Sequence, residues 1–308
     1  MGKSILVIGS SNSDMIAKVQ RLPQPGETVM GSEFITAAGG KGANQAVAAA
    51  RMGADVTFMA CVADDSFGLK AIENYKKDNI NTSLIKIEKG YHSGIAMINV
   101  SEDGNNSITI IPGANMRLLP KDIKSCQDAF DRAYSVLVQL EIPMETVEAI
   151  GKMAVKKNIP FILNPAPAAE ISPGLLKTVS VLTPNETEAA LLTGRTEVRD
   201  EDIPAMAREL FKKGVPTVII TLGSKGVYLH DKDFQEYIPG YKVKAVDTTA
   251  AGDVFNGALA AALTGISDMR TAIIVAQRAA ALSVTRMGAE PSIPTAQELE
   301  QHFDDIIG

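Results

Sequence analysis

The sequence is poor in the residues that staple or metallate small folds. It has two cysteines, Cys61 and Cys126, and three widely spread histidines, His92, His230 and His302. Two thiols without metal-ligand spacing make neither a disulfide framework nor a zinc site, and they read as reduced thiols of a cytoplasmic protein. No run of about 18 apolar residues occurs, so nothing of transmembrane length is present. The opening MGKSILVIGSSNSD has too short an apolar run for a secretory leader. Leu6 stands where a myristoylation signal needs Ser or Thr, so this stretch reads as a first strand. Lys and Arg number 30 against 36 Asp and Glu, a net charge of −6, and no basic stripe offers a nucleic-acid footprint. No G-x-G-x-x-G follows the first strand, which excludes a Rossmann dehydrogenase, and no G-x-x-x-x-G-K-[ST] loop occurs. Internal repeats, low-complexity tracts and linkers are absent as well.

What is present is ordinary globular composition, 45 % apolar and 21 % charged over 308 residues, enough to bury a full core. Apolar runs of strand length alternate with helical patterns, which predicts an α/β fold: a doubly wound, mainly parallel sheet with helices on both faces. Strands are expected at Ile5–Ile8, Val56–Cys61, Val136–Leu140, Phe161–Leu163, Val179–Leu182 and Thr217–Thr221. Helices are expected at Gly42–Met52, Gly68–Asp78, Met144–Lys157, Ala251–Leu263, Met269–Thr285 and Ala296–Ile307. Two stretches break the rhythm. Residues 14–37 place Pro23, Pro25 and Gly26 between two strand-like segments, and residues 93–111 read as a hairpin turning at Glu102–Asn106. Together they predict a small antiparallel sheet, a lid or a dimer surface, inserted into a single domain spanning 1–308.

Four clusters carry chemical promise. Asn12-Ser13-Asp14 follows the first strand, where α/β folds bind ligands, though such residues are also common turn formers. Gly39-Gly40-Lys41-Gly42-Ala43-Asn44-Gln45-Ala46 combines close backbone approach with the donors Lys41 and Asn44, or simply starts a helix. Asp247–Asp253, DTTAAGD, opens a helix with small residues; its exposed N–H groups and positive dipole end form an anion site. Asp253 in that first turn is either a helix cap or a carboxylate with a task beside phosphate. In Thr183–Glu188, Asn185 and Glu188 lie three apart on one helical face; they suit magnesium and its waters, or cap the helix locally.

GGKGANQA (39–46), NPAPA (164–168), TPNETEA (183–189), TLGSKG (221–226) and DTTAAGD (247–253) occur in an order that resembles the phosphofructokinase-B-type carbohydrate kinases over essentially the whole chain. The resemblance implies a β-sheet lid that clasps its copy in a homodimer, and ATP-dependent phosphorylation of the O5 hydroxyl of D-ribose. It implies a sugar site at Asn12, Ser13, Asp14, Gly40, Lys41, Gly42, Ala43, Asn44 and Glu141. Asp253 would be the general base beneath O5, with an anion hole at Ala250, Ala251, Gly252 and Asp253. ATP would lie along Asn185, Thr221, Leu222, Gly223, Ser224, Lys225, Gly226, Gly252, Asp253 and Gln277. The family often has His or Asn at the position of Gln277. Magnesium would be held through water by Asn185 and Glu188. A monovalent cation, potassium, would sit among Asp247, Thr249, Ser283, Arg286, Gly288 and Ser292, with Arg286 acting through its carbonyl because its side chain has no acceptor. Asn12 and Asp14 favour vicinal hydroxyls, hence ribose over deoxyribose, a nucleoside or another sugar. A non-catalytic sugar or nucleotide sensor would have no need of Asp253.

Overall fold

The computed structural model describes residues 4–303. An eight-stranded sheet runs in the spatial order Gln235–Pro239, Gly226–His230, Thr217–Thr221, Val181–Leu182, Phe161–Leu163, Ala133–Val138, Ser4–Ile8 and Val56–Met59. From Thr217–Thr221 to Val56–Met59 all pairings are parallel; Gly226–His230 and Gln235–Pro239 add an antiparallel edge. The parallel strands are apolar almost throughout, as strands covered on both faces must be.

Side chains alternate between two cores. Leu6, Ile8, Val136, Val138, Leu163 and Leu182 face one core, together with residues of the helices Met144–Lys157 and Ile203–Lys212. Ile5, Val7, Leu137, Ile162 and Val181 face the other, against the helices Lys41–Arg51, Ala251–Gly265 and Met269–Ser283. Each such Leu or Ile stabilises the fold by about 1.5–3 kcal/mol. The period of two thus puts the helices that follow GGKGANQA and DTTAAGD on one face of the sheet, while helix Glu186–Leu192, opened by TPNETEA, packs on the other. The doubly wound α/β class expected from the sequence is the one observed.

A separate four-stranded sheet has the order Gly31–Gly39, Asn12–Val19, Gly94–Ser101 and Asn106–Ile111. Its central pair is parallel, so the sheet is mixed, not antiparallel throughout as expected. The reason is geometric. Asn12 pairs with Gly94 and Val19 with Ser101, so both excursions leave the main domain at the same end and run outward together. The expected strand Val56–Cys61 is also divided. Val56–Met59 stays in the large sheet, while Cys61–Ala63 pairs with Lys86–Glu88 in a two-stranded sheet of its own. The last helix spans Ala296–His302, and the remainder of its expected span, to Ile307, lies outside the described residues. Cys61 and Cys126 are free thiols.

Candidate active site

The floor of the site is built by residues that follow parallel strands. Ser10, just past Ser4–Ile8, donates its hydroxyl to Glu141 Oε2 at 2.5 Å, and the Lys41 N–H reaches the same oxygen at 3.1 Å. Ala43 N–H donates to the Ser10 carbonyl at 2.9 Å. These bonds lay the Gly40–Asn44 turn over the end of the first strand. Only glycine fits at position 42, where a Cβ would stand 2.6 Å from the Gly9 carbonyl carbon. At Gly39 a Cβ would overlap both Asp14 carboxylate oxygens, so the bare backbone leaves Asp14 its place.

Asn12 and Asp14 lie on the first strand of the small sheet, not at the carboxyl end of the first core strand. Alternation puts both on one face and turns Ser13 to the other. Asn12 Oδ1 accepts from Asn115 Nδ2 at 2.7 Å, and Asn115 Oδ1 accepts from Ser11 N–H at 2.9 Å. Buried Asn115 therefore fixes the Asn12 side chain; it belongs to no motif, and no sequence signal marks it. Burial, then the charges of Glu141 and Asp253, push the Asp14 carboxyl up to about 6. The Lys41 ammonium is raised by the charge of Asp253, which with Glu141 and Glu188 outweighs the opposing effect of burial. Asp14, Lys41, Glu141, Glu188 and Asp253 thus share one electrostatic neighbourhood, although they span most of the chain.

Helix Ala251–Gly265 begins after Ala250, which holds a left-handed φ of 61°. A non-glycine residue there carries roughly 1 kcal/mol of backbone strain. The sharp turn aims the first N–H groups of the helix outward, and a helix leaves these without intrahelical acceptors. Ala251 N–H makes a long 3.3 Å bond to the Thr248 carbonyl. Asp253 does not cap the helix. Its Oδ2 accepts from Asn44 Nδ2 at 3.0 Å and its Oδ1 from Gln45 Nε2 at 2.9 Å. The carboxylate is buried, held at both oxygens, and one residue from Gly252.

On the far side of Gly252 lies a cavity of about 350 Å³. Of the residues expected around ATP, it is lined by Thr221, Gly223, Ser224, Gly226, Gly252 and Gln277. Ala251 also lines it, while Asn185, Leu222, Lys225 and Asp253 do not. Lys225 instead reaches the Asp200 carboxylate, at 2.6 and 2.7 Å. The apolar wall, unforeseen in the sequence reading, comes from Val227, Val243, Phe255, Ala280, Ala281 and Val284. Such a wall with few polar groups suits a flat heterocycle. Gln277 Nε2 donates to the Ile238 carbonyl at 3.1 Å, and its Oε1 is shielded and without a partner.

Asn185 and Glu188 form a reciprocal capping box at 2.8 and 2.9 Å, the local alternative for this pair. Burial is the main cause raising the Glu188 carboxyl, partly offset by the Asn185 N–H and by Lys41. The cap uses Glu188 Oε2. Among the described residues no group of three or more His, Cys, Asp or Glu is arranged to hold a metal ion. Around Asp247, Oδ1 accepts from Thr249 N–H at 2.9 Å and Oδ2 from Gly288 N–H at 2.9 Å. The hydroxyls of Ser283 and Ser292 donate to the carbonyls of Ala280 and Ala289, and the Arg286 guanidinium pairs with Glu298 at 2.8 Å.

Residues 2–296 match the family model described as pfkB family carbohydrate kinase. The chain is 43 % identical over 299 residues to a ribokinase of Haemophilus influenzae, covering 97 % of each chain. It is 37 % identical to a deoxyribokinase of Salmonella typhi over 97 % of this chain and 98 % of the relative. Among solved structures, the ribokinase of Arabidopsis thaliana complexed with ribose and ATP superposes with a TM-score of 0.88 at 33 % identity, covering 98 % of each chain.

Proposed function

The chain belongs to the pfkB family of carbohydrate kinases, and from that premise we propose that it transfers the γ-phosphoryl group of ATP to the O5 hydroxyl of D-ribose. One observation carries this reading. Asp253 stands between two compartments: its neighbour Gly252 lines the nucleotide-sized cavity, and its charge is felt by Asp14 and Lys41 on the polar side. A base placed there touches the acceptor hydroxyl while the adjacent N–H groups face the phosphate.

Phosphoryl transfer passes through a loose transition state, so the protein's work is alignment and charge neutralisation. Asn12, Asp14 and Glu141 take the sugar hydroxyls. Asp253 accepts the O5 proton late in transfer, when the oxygen has become acidic. Lys41 and the N–H groups at the start of helix Ala251–Gly265 stabilise charge on the moving group. Gln277, which lines the cavity, packs beside the nucleobase. When bound with ATP, magnesium neutralises the phosphate chain; the Glu188 oxygen outside the capping box suits one of its waters. An oxygen-only set around Asp247 suits a monovalent cation, potassium, that fixes the loop.

The small sheet supports a homodimer. By register, Asp14 shares its face with Ile16, Ile35, Ile98, Ile108 and Ile110, and the last two are exposed to 54 % and 46 %. An isoleucine face of this kind seeks a cover, and a second copy supplies the same face. No helix among the described residues is long and apolar enough to cross a membrane. The cytoplasm, where ATP and reduced thiols prevail, is the compartment we propose.

The second reading is deoxyribose as acceptor, favoured by a deoxyribokinase at 37 % identity, against 38 % and 43 % for two ribokinases. An ATP-consumption assay with ribose, deoxyribose, fructose and adenosine decides. The expected outcome is the highest kcat/KM for ribose. A faster turnover of deoxyribose or adenosine overturns the assignment, and no turnover of any sugar returns the sensor reading.

A further inference from the structure

Three of the sequence motifs contain buried polar residues, Gln45, Asn164 and Thr183, to which the proposed kinase assigns no substrate. Gln139, Asn164 and Thr183 each sit one position beyond the end of a parallel strand, and they lie in register because Val138 pairs with Leu163 and Leu163 with Leu182. They form a polar row across the sheet, under the helices Lys41–Arg51 and Ala251–Gly265.

From Asp253 the bonds can be followed around a closed path. Asp253 Oδ1 accepts from Gln45 Nε2 at 2.9 Å, and the same Nε2 donates to Asn164 Oδ1 at 3.0 Å. Asn164 Nδ2 donates to the Thr183 carbonyl at 3.1 Å. The Thr183 hydroxyl donates to Asn256 Oδ1 at 2.6 Å, and Asn256 Nδ2 donates to the Gly252 carbonyl at 2.8 Å. Gly252 is bonded to Asp253, which closes the ring. Gln139 Nε2 braces it from outside by donating to Gln45 Oε1 at 2.5 Å. Gln45, Asn164, Thr183 and Asn256 are all buried, so water does not substitute for a missing member.

We propose that this ring is the positioning device of the reaction. It fixes the Asp253 carboxylate and the Gly252 peptide relative to each other, so that base and anion hole meet the substrates as one rigid unit. Thr183 and Asn256 are its positioning residues. The inference rests on the kinase reading, and misplacement of the reacting groups by about 1 Å costs on the order of 10²-fold in rate.

The test compares Thr183→Val, which keeps shape and removes the donor, with Thr183→Ser, which keeps the donor. Expected is a kcat loss of about tenfold for Thr183→Val, with KM for ribose and ATP within about twofold, and near wild-type kinetics for Thr183→Ser. Asn256→Ala should match Thr183→Val, and the double variant should lose little more, because one circuit is broken only once. If Thr183→Val does not fold, Asn256→Ala decides alone by the same split of kcat from KM. Amide hydrogen exchange over residues 251–256 without substrate should quicken in Thr183→Val and not in Thr183→Ser. Unchanged kcat and exchange, additive losses, or equal damage from Thr183→Ser each overturn the ring. Should the wild type not phosphorylate ribose, the kinase reading falls separately, and the exchange data still decide whether the ring holds the turn.

Discussion

Gly257 faces Gln45 so closely that a Cβ on Gly257 would stand 2.5 Å from the Gln45 carbonyl oxygen and 2.9 Å from Ala49 N. Helices Lys41–Arg51 and Ala251–Gly265 therefore meet backbone to backbone, and this approach brings Asn44 and Gln45 within reach of Asp253. Gly257→Ala adds helix propensity worth about 1 kcal/mol. The atoms it meets are mostly backbone, which cannot rotate away, so overpacking of about 1–3 kcal/mol wins. Urea unfolding should show net destabilisation, and kcat should fall with it as the two amides retreat from the carboxylate. A stabilised variant would mean that the helices slide apart freely.

Asp253→Asn retains size and removes the proton acceptor. Turnover should fall on the order of 10²–10⁴-fold, while calorimetry shows ribose and ATP still bound. Turnover within threefold of wild type sinks Asp253 as the base.

The sheet class and the motif order were legible because both are written in short-range pattern: apolar runs of strand length, and glycine-rich turns ahead of helices. What escaped was long-range. Asn115 orients Asn12 across 103 positions, and Phe255 and Val284 share a cavity wall although neither looks functional alone. Strands Gly226–His230 and Gln235–Pro239 escaped as well. The burial of Gly226–His230 is continuous, so no alternation announced it, and the chain turns back within Asp231–Phe234. The parallel centre of the small sheet depends on where two distant excursions leave the main domain, and neither segment encodes that locally.

Asp14 couples stability to pH. Its carboxyl, raised from 3.8 to about 6, stays protonated in the folded protein where the unfolded chain has already ionised. The folded state binds the extra proton, so its contribution is fully present below pH 3.8 and is lost as pH rises through 6. The shift corresponds to about 3 kcal/mol. Asp14→Asn should thus be the more stable protein at pH 7.5 by up to that amount, and no more stable at pH 3.5, as read by urea unfolding. Ribose affinity should fall roughly 10–100-fold with the loss of a charge-assisted acceptor. In the wild type it should weaken as pH drops below 6. Equal stabilities at pH 7.5 would show that Asp14 is solvated.

Ile108 stands in the exposed isoleucine row, paired with Ile98. Ile108→Lys places a charge where a second copy is expected to pack. Light scattering should give about twice the 32.7 kDa chain mass for wild type and a single mass for the variant. A wild-type monomer at micromolar concentration contradicts the dimer and leaves the kinase chemistry intact.

The turn ahead of helix Ala251–Gly265, where we propose the anion hole, is laced to a distant loop through Asp247. Besides the bonds from Thr249 and Gly288, the N–H groups of Val246 and Asp247 both reach the Val284 carbonyl, at 2.7 and 3.2 Å. Burial opposes ionisation of Asp247, and the bonds from Thr249 and Gly288 more than offset it, so its carboxyl lies below the ordinary value. The carboxylate is therefore charged at neutral pH, and carbonyls of Thr249, Ser283, Arg286 and Gly288 lie on the segments it joins. Oxygen donors with one negative charge suit a monovalent cation better than a compact divalent one, which asks for several carboxylates or waters. Activity should rise when potassium replaces an inert organic cation at constant ionic strength and saturating magnesium. Constant ionic strength matters because screening alone changes how an acidic protein meets ATP. The rise should appear in kcat, since the cation acts on the aim of the Gly252 and Asp253 N–H groups and touches neither substrate. Asp247→Ala should abolish the response and also lower the basal rate, because it releases Thr249 and Gly288 together. A wild-type rate indifferent to potassium, with Asp247→Ala still impaired, would show that the hydrogen bonds of Asp247 alone hold the turn.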